Sequence, residues 1–206
     1  MWALVDDADN VTEIIAHPKS LIIDDIRHPK KIFSAWTDAE KRVIGLYEVT
    51  PASKFDENYY VNSNASYAKV GTKVVETITK AADKKLTDTN EVDENGDPLL
   101  DDDGVQIVTL GLKSNAKNKA TTQANGLLQG FDWLIQRKVT AETAIPSAVV
   151  TYMAAIRTDH GNICTALDAA ADMAAFIALH TTTYNEDGTV NVIAKTQSWT
   201  SDANVK

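Results

Sequence analysis

Residues 127–158, LLQGFDWLIQRKVTAETAIPSAVVTYMAAIRT, decide the fold because they carry the densest helical pattern in the chain. Asp132 is placed to cap one helix, and Pro146 suits the first turn of the next, where its missing N–H is not needed. Apolar residues then recur at steps of three and four, so they share one stripe of that helix. The stripe predicts a core-facing surface made of Val149, Tyr152, Met153 and Ile156.

Helical patterning continues on both sides of this segment. From Leu110 to about Gly130, leucine and alanine spacing predicts an amphipathic helix with a face of small residues. The alanine-rich run from Ala166 to Leu179 predicts one or two further helices. A turn at 185–188 and a strand-like run after it complete a predicted helical domain over 109–206.

The N-terminal part has the short apolar runs that are typical of strands. Trp2–Val5 and 11–16 flank the turn-rich DDADN and predict a β-hairpin. Thr37-Asp38-Ala39-Glu40 is a capping box, in which the threonine hydroxyl and the glutamate carboxylate satisfy each other's free backbone amides. A short helix should begin there and end near Gly45, so residues 1–54 are predicted to form a small β-rich module.

The region 55–108 is predicted to hold β-hairpins and an acidic turn. Tyr59–Val61 and Tyr67–Val70 bracket NSNAS and predict a second hairpin, while the β-branched residues after Lys73 favour another strand. The acidic run 91–104 resembles a calcium loop only in part, because Pro98 and Asp102 do not suit the positions they would take. A solvated hairpin or loop tip is the favoured interpretation, and the whole chain is predicted to be α+β.

Composition narrows the classes of function. The chain has 206 residues, 44% of them apolar, which is enough for a substantial core. A formal charge of -9 argues against nucleic-acid binding, and the one basic run, Lys113 to Lys119, is interpreted as a solvated helix face. No basic leader precedes an apolar run, and no run approaches the ~20 apolar residues of a membrane span.

Metal and disulfide chemistry are not expected. Cys164 is the single cysteine, which excludes an internal disulfide and a Cys₄ or Cys₂His₂ zinc site within one chain. His17-Pro18-Lys19 and His28-Pro29-Lys30 repeat a tripeptide, but proline biases the preceding histidine to extended backbone. Both tripeptides are therefore interpreted as strand ends or turns, and no metal or other cofactor is predicted.

Enzymatic activity has one candidate arrangement, His160, Cys164 and Asp168, spaced to align on one face of a helix. A nucleophile needs its base to converge on it within hydrogen-bond reach, whereas such a row is expected to leave the side chains side by side. No P-loop, G-x-S-x-G or H-E-x-x-H motif accompanies the row. The chain is therefore predicted not to be an enzyme, with Cys164 or a carboxylate pair kept as the enzymatic alternative.

Two stretches resemble proteins of bacteriophage tails. Residues 27–49, RHPKKIFSAWTDAEKRVIGLYEV, resemble a small module near the N-termini of tail-associated proteins. Leu127-Leu128, Asp132-Trp133, Arg137, Ile145-Pro146 and Tyr152-x4-Arg157 resemble the pattern of tail fibre assembly and tail-accessory proteins. The pattern usually has arginine after the tyrosine, where this chain has Met153.

This resemblance implies a non-enzymatic structural protein of the phage virion that contacts tail or fibre proteins, forms oligomers and is made in the host bacterial cytoplasm. An assembly chaperone absent from the mature particle is the alternative. Trp36 and Trp133 are expected to be buried organisers of the two parts. The candidate interaction residues are Trp36, Trp133, Tyr152 and Arg157.

Overall fold

A computed structural model describes residues 1–201, and the chain divides into two compact units, Met1–Asp83 and Lys84–Lys206. Strands dominate the N-terminal half and helices the C-terminal half, which confirms the predicted α+β class. The observed division falls inside the region predicted as 55–108. None of the helices in residues 1–201 combines the length and the apolar character that a membrane span requires.

The first unit is built on a five-stranded sheet with the strand order β2-β1-β5-β8-β7. The predicted N-terminal hairpin is confirmed, because β1 pairs antiparallel with β2, and Trp2 lies opposite Ile15. β5 joins β8 in parallel, and the other pairs of this sheet are antiparallel. The elements are β1 Trp2–Val5, β2 Val11–Ile15, β3 Leu21–Ile23, β4 Ile26–His28, α1 Ile32–Ala35, α2 Asp38–Val43, β5 Leu46–Thr50, β6 Tyr60–Asn62, β7 Ser66–Val70, β8 Lys73–Thr77 and β9 Lys80–Asp83.

Both faces of this sheet are buried, and the alternation of β1 shows how. Successive strand residues point to opposite faces. Trp2 and Leu4 therefore pack on one cluster, and Ala3 and Val5 belong to the other. The first cluster is covered by β3 and α1 through Leu21, Ile32 and Phe33, and the second contains Val49 and Val74.

The predicted capping box at the start of α2 is confirmed. The Glu40 N–H donates to Thr37 Oγ1 at 3.3 Å, and the Thr37 N–H donates to Glu40 Oε2 at 2.7 Å. Both acceptors satisfy amides that the first turn of a helix leaves unpaired. The helix ends at Val43, and Gly45 follows with φ of 73°, as the sequence predicts.

Glu40 should make the stability of the first unit depend on pH. Hydrogen bonds from the Thr37 N–H and then the Thr37 hydroxyl lower the pKa of Glu40 below its ordinary value of 4.5. A carboxyl whose pKa is lower in the folded state stabilises the fold above its unfolded pKa and loses that effect as pH falls through the folded pKa. We expect wild type to exceed Glu40→Gln in thermal midpoint at pH 7, with the difference shrinking below about pH 4.5.

Circular dichroism melts between pH 7 and the acid limit of folding measure this difference. Asp7→Asn is the matched control, since it removes one negative charge whose side chain makes no hydrogen bond within residues 1–201. A Glu40→Gln difference that stays constant with pH contradicts the assignment.

The predicted hairpin between Tyr59–Val61 and Tyr67–Val70 is wrong. β6 instead pairs with β9, and β7 pairs with β8 through a turn at Gly71. The NSNAS segment does not close a hairpin because its polar side chains are engaged elsewhere. The Asn62 side chain exchanges two hydrogen bonds with the backbone of Phe55, and Ser63 Oγ accepts the Thr79 N–H at 2.9 Å.

In residues 84–201 the second unit contains four α-helices and short strands. The face of small residues predicted before Gly130 is confirmed, because Ala116, Ala120 and Ala124 of α3 are buried. The stripe predicted on the next long helix is also buried. The run from Ala166 to Leu179 forms the end of α5 and a separate α6. The elements are β10 Thr89–Asn90, β11 Val108–Thr109, α3 Leu112–Gln129, α4 Asp132–Ala141, α5 Ser147–Ala169, α6 Met173–His180, β12 Thr183–Tyr184, β13 Val190–Val192 and a 3₁₀ turn Lys195–Gln197.

The predicted N-cap at Asp132 is wrong by one residue. Phe131 occupies that position with φ of -108° and ψ of 0°, and no side chain caps the helix. Gly130 is still helical at the end of α3, so the chain enters α4 without the extended residue that a side-chain cap needs. Asp132 remains in the first turn of α4, where its charge complements the helix dipole. Pro146 likewise lies one position before α5 and not inside it.

The acidic region forms a closed ring of three hydrogen bonds, which we call the octapeptide ring, residues 89–109. The Glu91 N–H donates to the Ile107 carbonyl, the Ile107 N–H to Leu99, and the Leu99 N–H to Glu91, at 2.8–3.0 Å. These residues are eight apart in sequence, 91, 99 and 107. Gln106 Nε2 lies 2.7, 3.0 and 3.1 Å from the same three carbonyl oxygens, which share its two N–H donors. The region predicted as a solvated hairpin or loop tip is thus held together by mutual hydrogen bonds among residues 91, 99 and 107.

One type of five-residue turn occurs four times among residues 1–201. In each copy the first residue's N–H donates to the fifth residue's carbonyl, and the fourth residue has positive φ. In three copies an aspartate opens the turn and its Oδ1 accepts the N–H groups of the third and fifth residues. The fourth residue is glycine in three copies and Asp9 in the other. The turns span 6–10, 93–97, 101–105 and 185–189.

Candidate interaction surface

Helix α4 is held to the second unit by few residues. Leu134 is buried and packs with Val149 and Met153, while most other residues of the helix are exposed. Trp133 is 56% exposed, and Val139 is 77% exposed. A helix of a globular protein normally turns its large apolar residues inward, so their exposure here marks a surface that residues 1–201 leave uncovered. We call the exposed apolar residues Trp133, Ile135 and Val139 the α4 surface.

The α4 surface has two flanks. Ile135 and Val139 are four residues apart and are therefore neighbours on the helix surface. Trp133 lies on the opposite side of the buried Leu134 from these two residues. The Arg137 guanidinium lies 4.9 Å from the centre of the Trp133 ring. This cation–π contact contributes about 0.5–1 kcal/mol at an exposed site and holds the indole against its own helix.

A groove of about 680 Å³ borders this surface between α3, α4 and α5. Its lining is mixed, with Ile135 and Met153 as apolar contacts and Asp132 and Arg157 as charges of opposite sign. Such a combination of apolar and polar groups is typical of binding grooves. Ile135 belongs to both the groove and the α4 surface, so the two are continuous.

The structure distributes the four predicted interaction residues unequally. Arg157 lines the groove, and Trp133 lies on the same helical unit. Tyr152 is buried against Phe131, with ring centres 5.6 Å apart, so its role within residues 1–201 is packing. Trp36 belongs to the first unit, where it is half-buried and meets His28 edge to face at 5.7 Å.

Trp133 was expected to be a buried organiser, and the structure corrects this expectation. Leu134 is the buried residue of α4, and it packs against α5. Because one step along a helix turns the side chain by about 100°, Trp133 points in a different direction. Sequence reasoning also missed the exposure of Ile135 and Val139. Their spacing was the available signal, because Trp133, Leu134, Ile135 and Val139 do not form one stripe.

The row of His160, Cys164 and Asp168 lies on α5, as the spacing predicts. Contrary to expectation, His160 Nε2 reaches Cys164 Sγ at 3.5 Å and also contacts Thr121 Oγ1 at 3.0 Å. Burial raises the pKa of the Cys164 thiol, and this effect exceeds the opposing one of Lys117. A thiol held in its protonated form is a poor nucleophile, so the contact does not amount to an activated cysteine.

The basic run 113–119 is not simply a solvated face. Lys117 Nζ pairs with Asp168 at 2.8 Å, and Lys113 Nζ donates to the Asp168 carbonyl at 2.9 Å, so both lysines tie α3 to α5. Within residues 1–201, His, Cys, Asp and Glu form no group of three or more that could hold a metal ion.

No family model, no curated protein and no solved structure matches this chain.

Proposed function

We propose that the chain is a non-enzymatic structural protein of a bacteriophage virion, associated with the tail or its fibres and acting through contacts with other proteins. The observation that carries this proposal is the α4 surface, with its exposed Trp133 and Val139. Aromatic residues are enriched in protein interfaces, and tryptophan is enriched among the residues that dominate binding energy.

The resemblance of residues 27–49 and 127–158 to tail proteins supports the choice of partner. The second of these stretches contains α4 and the start of α5, so it includes the surface that the geometry favours. Tail and fibre proteins are therefore the proposed partners, in an oligomeric assembly made in the host cytoplasm and retained in the particle.

The first experiment locates the chain. Particles of a phage that encodes it are purified on a density gradient, and the chain is quantified against the major capsid protein by mass spectrometry. A constant ratio across particle fractions supports a virion protein. Absence from the particles, combined with missing fibres when the gene is deleted, supports the alternative of an assembly chaperone.

Trp133→Ala should reduce incorporation of the chain into the tail. Truncating a tryptophan that is a binding hot spot of an interface costs about 2 kcal/mol or more, which is roughly thirty-fold in affinity. The gene deletion is complemented with the variant, and the variant's amount per particle is measured. Val192→Ala is the control, since Val192 is an exposed apolar residue of β13 outside the α4 surface. Equal incorporation of Trp133→Ala and wild type rejects the α4 surface as the contact.

The enzymatic alternative is addressed by the same complementation. Cys164→Ala removes the only thiol of the chain, and phage yield should remain unchanged if no step depends on it. A complete loss of yield with a folded Cys164→Ala protein reverses this conclusion.

A further inference from the structure

An apolar cleft with lysines at its mouth lies in the first unit. Its volume is about 460 Å³, and we call it the lysine cleft. Trp2 and Phe33 supply aromatic lining and meet edge to face, with ring centres 5.7 Å apart. Lys30 and Lys31 are exposed and have no ion-pair partner within residues 1–201. The lining residues are Trp2, Pro18, Lys30, Lys31, Phe33 and Ser34, none of them acidic.

The octapeptide ring has the complementary character. Its apolar side chains are exposed, for example Leu100 at 55% and Val105 at 60%. Single exposed apolar residues need no explanation, but here they are concentrated on one small unit. The further exposed members are Val92, Leu99, Ile107 and Val108.

The ring also carries a one-sided charge. From Asp88 to Gly111 the chain has no lysine, arginine or histidine. Apolar side chains surrounded by carboxylates match an apolar cleft rimmed by lysines in both respects. The acidic residues of this stretch are Asp88, Glu91, Asp93, Glu94, Asp97, Asp101, Asp102 and Asp103.

The ring is also fixed in shape before it meets a partner. Its closed backbone hydrogen bonds and the contacts of the Gln106 amide with the same carbonyls leave little conformational freedom to lose on binding. Preorganisation of this kind reduces the entropic cost of association.

We propose that the octapeptide ring of one copy of this chain docks in the lysine cleft of a second copy. The contact is heterologous, because the ring and the cleft are different surfaces. Each copy at the end of an assembly therefore keeps a free octapeptide ring or a free lysine cleft for a further copy. The assembly grows until it closes into a cyclic oligomer or extends as a filament. This inference stands on surfaces distinct from the α4 surface and does not rest on the phage assignment.

The test uses the purified full chain and sedimentation velocity. We expect species larger than the monomer at about 100 μM, which exceeds the micromolar dissociation constants of transient contacts. Raising NaCl from about 0.1 M to about 1 M shortens the Debye length from about 10 Å to about 3 Å and should return the chain to monomer.

Charge reversal identifies the two surfaces. Lys30→Glu with Lys31→Glu makes the cleft acidic, and Asp102→Lys with Asp103→Lys places two lysines on the ring and weakens its negative charge without touching the turn-forming Asp101. Each double variant alone should be monomeric, because one of its two complementary surfaces is altered. An equimolar mixture should form mixed dimers, since the unaltered ring of the first variant meets the unaltered cleft of the second, and this recovery also shows that both variants are folded.

Lys119→Glu with Lys138→Glu is the control. It makes the same change in net charge as the double variant of the cleft, on exposed residues of α3 and α4, and it should leave assembly unchanged. Three results overturn the proposal. The first is a wild-type chain that is monomeric at low salt, and the second is a mixture of the two variants that stays monomeric. The third is a wild-type monomer that is more compact in sedimentation than the monomer of either charge-reversed variant. The last would identify the occupant of the cleft as the same chain's own ring.

Discussion

Gly111→Ala is expected to destabilise the second unit by about 3 kcal/mol, the upper part of the range for overpacking. An added Cβ would lie 2.4 Å from the Thr87 carbonyl carbon and 2.6 Å from the Leu86 oxygen, both backbone atoms. The φ of Gly111, -75°, suits any residue, so close approach alone creates the cost.

The neighbouring backbone has little freedom to move away. The Leu112 and Lys113 N–H groups donate to the carbonyls of Lys85 and Leu86 at 3.0 Å, and the Gly111 N–H donates to Asp88 Oδ1 at 2.8 Å. Relief of the clash would break some of these bonds, which hold the start of α3 against the segment before the octapeptide ring.

Urea unfolding followed by far-ultraviolet circular dichroism measures this effect. Gly126→Ala is the matched control in the same helix, because no atom lies within 4 Å of its added Cβ. It should stabilise the unit by up to about 1 kcal/mol, the difference in helix propensity between alanine and glycine. If both variants shift stability in the same direction, the close approach at Gly111 is not the controlling feature.

Ile156→Ala is expected to cost 2–5 kcal/mol, as roughly observed for large core residues truncated to alanine. Ile156 is 0% exposed and packs with Ala124 of α3 and Tyr152 of α5. Leu127 and Leu128 of α3 pack against the same cluster, but neighbouring side chains relax only partially into the space that a truncation leaves. Both the lost apolar burial and the remaining cavity therefore lower the free energy of unfolding of the variant.

The same unfolding experiment measures it, with Val150→Ala in α5 as the control. Val150 is exposed, and its truncation should change stability by no more than about 0.5 kcal/mol. A cost for Ile156→Ala as small as that of the control would contradict the placement of the α3–α5 core.

Local signals account for what the sequence predicted well. The capping box at Thr37 and Glu40 contains both hydrogen-bonding partners within four residues, so its structure needs no distant contact. The hairpin of β1 and β2 and the apolar stripe of α5 are likewise visible within a short window. Together they suffice for the α+β class.

Pairings between distant residues were not predictable in this way. β6 prefers β9, about twenty residues away, over the nearer β7, because side chains of Asn62 and Ser63 bond outside the expected turn. The octapeptide ring had a readable signal that was missed. The pair Asp93 and Gly96 recurs eight residues later as Asp101 and Gly104. This eight-residue period indicates one repeated structural unit and not two independent turns.

The candidate surface was predictable in part. The D-W pair and Arg157 lie in the helical unit that carries the candidate surface, since Arg157 lines the groove and Trp133 is exposed on α4. Exposure itself depends on which side of α4 meets α5, and that is decided by packing between elements and not by residue type.

The closed hydrogen-bonding of residues 91, 99 and 107 fixes the length of this part of the chain. An open hairpin can gain or lose residues in pairs, because its ladder simply continues or stops earlier. In the octapeptide ring each of the three N–H groups already donates to one of the three carbonyls. A further residue added eight positions along the chain would therefore find no unpaired N–H group in the ring to bond with. Insertions and deletions should therefore be tolerated in the turns at 93–97 and 101–105 but not in units of the repeat itself.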